Sequence, residues 1–522
     1  MANKSIFKSY RGKRLSDTDC VNEAGSAAYR FDDRYALAQY AVTGCLNGTF
    51  YATAGEQLET VLRLCGRVEP EFIARTALFA RERGFMKDLP ALLCAVLSTQ
   101  SPGLLAEVFD RVIDTPKMLR NFVQIIRSGV VGRKSLGSRP KWLVRRWLEG
   151  RTDDALFRAS VGQAPSLADI VKMVHPKPTT PQREALYGYM IGRDCNAEAL
   201  PGLVQEYEGF KSRLSGSVPD LPFQMLTSLE LEKGAWNEIA RRAPWQMTRM
   251  NLNTFARHGV FNKRDRVKMI ADRLRDRAAI AKARVFPYQL LAAYLSTGDD
   301  IPREIREALQ DAMEIAIDNV PRIDGKVFVF PDISGSMHSP VTGHRKGSSS
   351  KIRCVDVAAI VAASVLRRNG DAEVLPFESD VVNIRLNPRD SVMTNAQKLA
   401  SLPCGGTNCN APLRLLNKRK AQGDLLIYVS DNESWVDGPR YGYCGGGRTA
   451  TMNEWAAFKR RNPAARMVCI DIQPYGTTPA KERPDILNIG GFSDRVFEVV
   501  AAFAKGELGA DHWVGRIRAV EL

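Results

Sequence analysis

From Tyr35, over about 290 residues, apolar side chains recur three and four positions apart, the period of a helix with one buried stripe. In Glu71 to Arg81 this spacing predicts a helix, which Gly84 then stops. The same spacing predicts helices over 89–97, 104–112, 118–126, 167–174, 183–191, 246–258, 264–273 and, last, 302–318. Short breaks with Gly, Pro, Asp or Ser separate them, and no strand-like alternation intrudes. Helix pairs stacked in the HEAT manner fit this pattern, and so does an irregular helical domain. Periodicity does not separate the two. Residues 1–30 are polar and read as an arm, and 31–323 as one helical domain.

At Lys326 the period changes, and strands begin to alternate with helices. Strands are predicted over 327–330, 425–429 and 467–472, with 372–377 and 381–386 as a hairpin or adjacent pair. Helices are predicted over 352–368, 395–402, 411–421, 453–461 and 494–504. This alternation describes a doubly wound α/β domain over 324–507. The tail, 508–522, contains Trp513 and Val514 and is expected to pack back on one of the domains. The chain is thus multidomain, an all-α part followed by an α/β part, as its 522 residues require.

The α/β part opens with the densest chemistry. The apolar run Val327 to Phe330 leads directly into Asp332, Ser334 and Ser336 at alternate positions. Open α/β sheets place ligand sites at such carboxyl ends of strands. One carboxylate and two hydroxyls are hard oxygen donors, suited to Mg²⁺ or Mn²⁺ and poorly to zinc. A phosphatase of the haloacid dehalogenase kind would need a second Asp where Ser334 stands. Thr407, in Gly405-Gly406-Thr407-Asn408, and Asp431, after the apolar run Leu425 to Val429, can complete the shell. Asp332, Ser334, Ser336, Thr407 and Asp431 together resemble the metal-ion-dependent adhesion site of von Willebrand factor A domains. That resemblance implies a bound Mg²⁺ with one position open to an acidic ligand.

Charge changes the picture of the helical part. The net charge is +16 and the pI about 9.4, an excess that favours a polyanionic partner. The densest positive stretch runs from Lys117 to Arg151, with Glu149 its only acid. Gly132, Gly137 and Pro140 mark a loop there, so Arg133, Lys134 and Arg139 are expected to stand free. Lys141, Arg145, Trp142 and Trp147 follow. Cations beside aromatics suit RNA, where backbone charge and base stacking both count; a solvated helix face over core tryptophans is the blander alternative. Met1 to Leu15 is basic without an apolar core, so no signal peptide is expected. No uncharged apolar run is long enough to span a membrane. The ten cysteines form no Cys-x-x-Cys pair, and those within apolar patterns, such as Cys65, Cys94 and Cys469, read as reduced core thiols. The glycine run 442–447 lacks the Lys-Ser/Thr ending of a phosphate-binding loop. The polar stretch Met337 to Ser350, with His338 and His344, reads as a flank of the metal site.

Taken together, the chain resembles the Ro autoantigen family, in particular its bacterial members. The resemblance rests on Asn47 to Tyr51, on Ser135 to Trp147, on His175-Pro176-Lys177-Pro178, and on Asp332 to Met337, Gly406 to Asn408 and Ser430 to Trp435. It implies a ring of HEAT-like repeats, the TROVE module, closed by the A domain. It implies small noncoding Y RNAs on the basic outer face and 3′ single-stranded ends of misfolded RNAs in the central hole. It also implies work in RNA quality control or decay, with polynucleotide phosphorylase or another exonuclease as partner. His175 would contact RNA, as would Lys177 and Arg158, the latter matching one member of an upstream basic pair whose other member falls near Gly162. The expectation is a cytoplasmic, monomeric, non-enzymatic RNA-binding protein. The rival classes are a protein-binding scaffold acting through the metal site and a metal-dependent hydrolase, for which no general base or second carboxylate is evident.

Overall fold

The structure is a computed structural model and describes residues 18–43, 46, 52–84, 86–213, 217–283, 285–343, 351–434, 448–473, 475–490, 496–507 and 512–522. The stretch 47–51, His344 with the rest of 344–350, Trp435 and the glycine run 442–447 lie outside the described residues, as do residues 1–17 of the arm and the Trp513 side chain.

From Asp33–Thr43 to Arg303–Ala316 the described chain is helical, in short rods. Their ends follow local chemistry. Thr53 with Glu56, and Ser166 with Asp169, form reciprocal caps at the starts of Ala54–Cys65 and Leu167–Val174. Pro70, Pro102, Pro116 and Pro181 occupy the first helical turn, where the missing N–H is not needed. Between residues 70 and 149 the rods pack on neighbours in sequence and beyond. Pro70–Glu82 packs on Asp88–Gln100 and on Pro102–Val112, Asp88–Gln100 on Pro116–Arg127, and Pro102–Val112 on Ser138–Glu149. This is the helix-pair stacking expected of the repeat reading. The run predicted over 246–258 is broken in two, Trp245–Met250 and Leu252–Arg257, at Asn251.

Two N-terminal strands, β1 (Cys20–Val21) and β2 (Ala27–Arg30), correct the reading of residues 18–30 as a free arm: they form an antiparallel hairpin. The α/β domain supplies β3 (Val327–Pro331), β4 (Glu373–Val374), β5 (Leu425–Ser430), β6 (Arg466–Asp471), β7 (Thr477–Thr478) and β8 (Ile486–Gly490). The main sheet is parallel throughout, in the order β4-β3-β5-β6-β8. Val381 to Leu386 is not a second strand beside β4; only a bridge between Phe377 and Val381 forms there.

Alternation along each strand divides the core in two. Val327, Val329, Ile427, Val429, Val468 and Ile470 face the helices Cys354–Arg368, Val392–Ala400 and Val496–Ala504. Phe328, Phe330, Leu426, Tyr428, Met467 and Cys469 face Ala411–Lys418 and Ala450–Arg461. The result is a helix–sheet–helix sandwich. Cys65, Cys94 and Cys469 are core residues, and burial pushes the Cys65 thiol up to about 12.

Both ends of the helical stack meet the α/β domain, which closes the circuit. At one end, Pro287–Leu295 packs on Cys354–Arg368, Arg303–Ala316 packs on Val392–Ala400, and Phe286 stacks on Phe497 at 5.6 Å. At the other, Asp33–Thr43 packs on β8 and β2 adds its edge to β7. The C-terminal helix His512–Arg518 packs on Asp33–Thr43 and Pro70–Glu82, so the tail does fold back. Arg75 and Arg111 secure it by donating to the Arg518 and Glu521 carbonyls at 2.9 and 2.7 Å.

Candidate metal centre and cationic face

Asp332 leaves the end of β3 still bound to both neighbours: its N–H donates to the Val429 carbonyl at 2.9 Å, and the next residue, Ile333, donates to Phe377. Held there, the loop turns its side chains inward. Asp332, Ser334, Ser336, Thr407 and Asp431 are all buried. The Asp332 carboxylate accepts the Ser334 N–H at 2.8 Å and the Ser430 hydroxyl at 2.6 Å. Ser334 Oγ lies 3.3 Å from Ser336 Oγ, and the Ser336 side chain hydrogen-bonds Asp431. Four of the five expected ligands therefore form one connected network. Thr407 joins through its loop, since the Gly335 N–H donates to the Gly405 carbonyl at 2.9 Å. The Glu378 carboxylate packs against Gly405, so a side chain at 405 would have to displace it.

The electrostatics ask for a cation. Burial, then the Asp431 charge, pushes the Asp332 carboxyl up to about 7. Burial raises Asp431 as well. Two buried carboxylates facing each other cannot both ionise cheaply unless a positive charge joins them. Two carboxylates and three hydroxyl-bearing side chains are the hard-oxygen set that Mg²⁺ takes. Among the described residues no three His, Cys, Asp or Glu side chains gather to suggest a softer metal.

The sequence pattern gives no site role to three neighbours of this centre. Ser430 bonds Asp332 directly. Asp471, ending β6 as Asp431 follows β5, is buried and raised by burial and by Asp431 and Glu433. Glu433 is buried, pushed up to about 8, and accepts the Glu23 N–H at 2.9 Å, while Asn22 donates to the Ser434 carbonyl at 2.8 Å. The N-terminal hairpin therefore seats its tip beside the metal centre. The acid at the end of β6 was a legible signal; the hairpin's docking was not.

The second site lies on Ser138–Glu149. Pro140 is not in the preceding loop but in the first turn of this helix, where it is tolerated. Leu143, Val144, Trp147 and Leu148 are buried, and Trp147 donates to the Ile113 carbonyl at 2.6 Å. Trp142 points the other way and is 46% exposed. The guanidinium of Arg146 sits 4.7 Å from its ring centroid and that of Arg139 at 6.0 Å. Arg145 donates to the Val174 carbonyl, the last residue of Leu167–Val174. His175 follows in the left-handed conformation, at φ 49°, and is exposed with Lys177 and Lys172. A cleft of about 560 Å³ opens there, lined by Lys172, His175, Tyr187 and Arg193 among others.

The expected contacts thus separate into two groups. Lys134, Arg139, His175 and Lys177 are exposed, and Lys141 is partly so. Arg133 does not stand free: it donates to the carbonyls of Ser98, Ser135 and Leu136 at 3.0, 3.0 and 2.8 Å. Its guanidinium fills the space where a Cβ at Gly137 would lie. Arg158 is paired with Asp220 at 3.0 Å. Isolated backbone carbonyls compete well for guanidinium N–H groups, which charge counting does not register.

Residues 326–504 match the Ro60 vWA domain family. Over 552 aligned positions the chain is 25% identical to an RNA-binding protein RO60 of Deinococcus radiodurans, with 95% of this chain and 97% of the relative covered. The crystal structure of the Deinococcus radiodurans RO (RSR) protein has the same fold, with a TM-score of 0.63 at 22% identity, covering 91% of this chain and all of that one.

Proposed function

We propose that this chain, whose residues 326–504 form a Ro60-type A domain, is a Ro-type RNA-binding protein that acts by holding RNA rather than by catalysis. The observation that carries this reading is the joined cationic face: Lys134, Arg139 and Lys141 on one side of the Arg145–Val174 bond, Lys172, His175 and Lys177 on the other. Phosphates would lie along it, each contact releasing condensed counterions. The near full-length likeness to a protein named for RNA binding supports the same reading.

At a finer level, the RNAs are structured small noncoding RNAs of the Y type and misfolded RNAs with single-stranded 3′ ends. The work is quality control or decay, with polynucleotide phosphorylase or another exonuclease downstream. Asp332, Ser334, Ser336, Thr407 and Asp431 would hold Mg²⁺, with Mn²⁺ the alternative. The cation would offset the buried carboxylates and leave a position for an acidic ligand. The place of action is the cytoplasm and the chain works as a monomer; no described helix is long and apolar enough to cross a membrane.

Filter binding of a structured RNA across a salt series tests the face. Replacing Lys134, Arg139 and Lys141 together by Ala should reduce the slope of log K against log salt by roughly 2 to 3 units, at about 0.7 to 0.9 per lost phosphate contact. Arg145 is left in place because it ties two helices together. Wild-type slope and affinity in the triple variant would remove RNA from this surface.

A further inference from the structure

We infer that Trp142 is a stacking platform for an unpaired nucleobase, so that the cationic face selects RNA whose bound segment contains an unpaired nucleotide. The inference rests on the RNA-binding reading above and adds a contact that charge alone cannot supply. Among the described residues the exposed large apolar side chains are Val21, Val130, Trp142 and Met250, so Trp142 is the aromatic one. It lies outside the buried face of its helix. The same helix buries Leu143, Val144, Trp147 and Leu148, and Trp147, five positions on, already supplies the indole of the core at 3% exposure.

The surroundings of the ring are built. Arg146 lies 4.7 Å from the ring centroid and is fixed by Asp110 Oδ2 at 2.7 Å. Arg139, exposed and more distant at 6.0 Å, has no ion pair among the described residues. An incoming base can therefore take the ring beside a fixed cation, while Arg139 swings to a phosphate. Exposed aromatics next to guanidiniums are what unstacked bases use, because every base offers a π-face. Bases inside a continuous A-form helix have both faces covered and cannot reach such a ring. Position along the RNA follows from the neighbours. Lys141 precedes Trp142 and Arg145 bonds Val174 beside His175, so the indole lies on the helix that joins the two groups of cations.

The test compares two RNAs, a blunt duplex and the same duplex interrupted by an internal loop of unpaired adenosines, one of them replaced by 2-aminopurine. Wild-type protein should bind the looped RNA more tightly and quench the 2-aminopurine. Trp142→Ala should weaken looped-RNA binding roughly 5- to 150-fold, the range of one aromatic–base stack. It should abolish the quenching and leave both duplex affinity and salt slope unchanged. Trp142→Phe should keep most of the preference, which guards against a folding defect. Equal losses on both RNAs, or no loss on either, would overturn the inference. If the triple Lys/Arg variant loses affinity while Trp142→Ala does not, the stacking inference alone falls. If neither changes binding, the surface reading falls with it.

Discussion

In the A domain the polar side chains that matter are buried and bonded to one another: Asp332 to Ser334 and Ser430, Ser334 to Ser336, Ser336 to Asp431. In the helical domain they are exposed, and each cation either faces solvent, as Lys134 and Lys177 do, or is taken up by a neighbour, as Arg133 and Arg158 are. The difference has a physical origin. A buried carboxylate has to find its partners within the fold, so residue types and spacing nearly determine the geometry. A surface cation can satisfy itself with water, a carbonyl or an acid at similar free energy. Its role is then decided by local accidents of packing.

The largest expected effect is on the buried side. Asp332→Ala should bring Mg²⁺ binding below detection by calorimetry, because it removes one of two charged ligands. RNA affinity should not change. Unaltered Mg²⁺ affinity would dismiss the metal centre.

The pH dependence of the metal-free chain sharpens the same point. Asp332 is held at about 7 when folded, against about 4 in an unfolded chain. The folded state therefore keeps a proton that the unfolded state has released. Its stabilising contribution is full below about pH 4, is lost as pH rises towards 7, and stays lost above. In chelator, melting temperature should fall more steeply from pH 5 to 7 in wild type than in Asp332→Asn, and added Mg²⁺ should cancel the difference. Parallel curves would mean the carboxyl is not strained by burial.

On the helical side, the two tryptophans of one helix should part company. Trp147→Ala should destabilise by about 3–5 kcal/mol in denaturant unfolding, the usual loss for a large buried aromatic. Trp142→Ala should stay within about 0.5 kcal/mol, as exposed substitutions do. Comparable losses would erase the contrast between core and platform.

The smallest effects separate the committed cation from the free one. Arg133→Ala should cost about 1–3 kcal/mol of stability by leaving carbonyls unpaired, with no change in the salt dependence of RNA binding. Lys134→Ala should do the reverse, with stability intact and a slope lower by about 0.7 to 0.9. Measuring both quantities on both variants decides which is which.

These contrasts also explain what could be read beforehand. The strand ends at Asp332 and Asp431 were visible because an apolar run meeting an acid has few other uses. The helices from 70 to 127 were visible because their apolar stripes and proline starts agree. The hairpin at Cys20 to Arg30 was not, since strands of two and four residues carry too little period and its partner, β7, lies some 450 residues away. The break at Asn251 was not visible either, as the apolar spacing runs through it. At Arg133 only the loop conformation set by Gly137, at φ 67°, reveals that the guanidinium is occupied.

Photocrosslinking of a 4-thiouridine-labelled structured RNA to the full chain, with the attached peptides mapped by mass spectrometry, tests the central claim most directly. Crosslinks should fall within 134–147 and 172–177 and should persist in chelator. Crosslinks confined to 326–504, or lost when divalent cations are removed, would contradict the account.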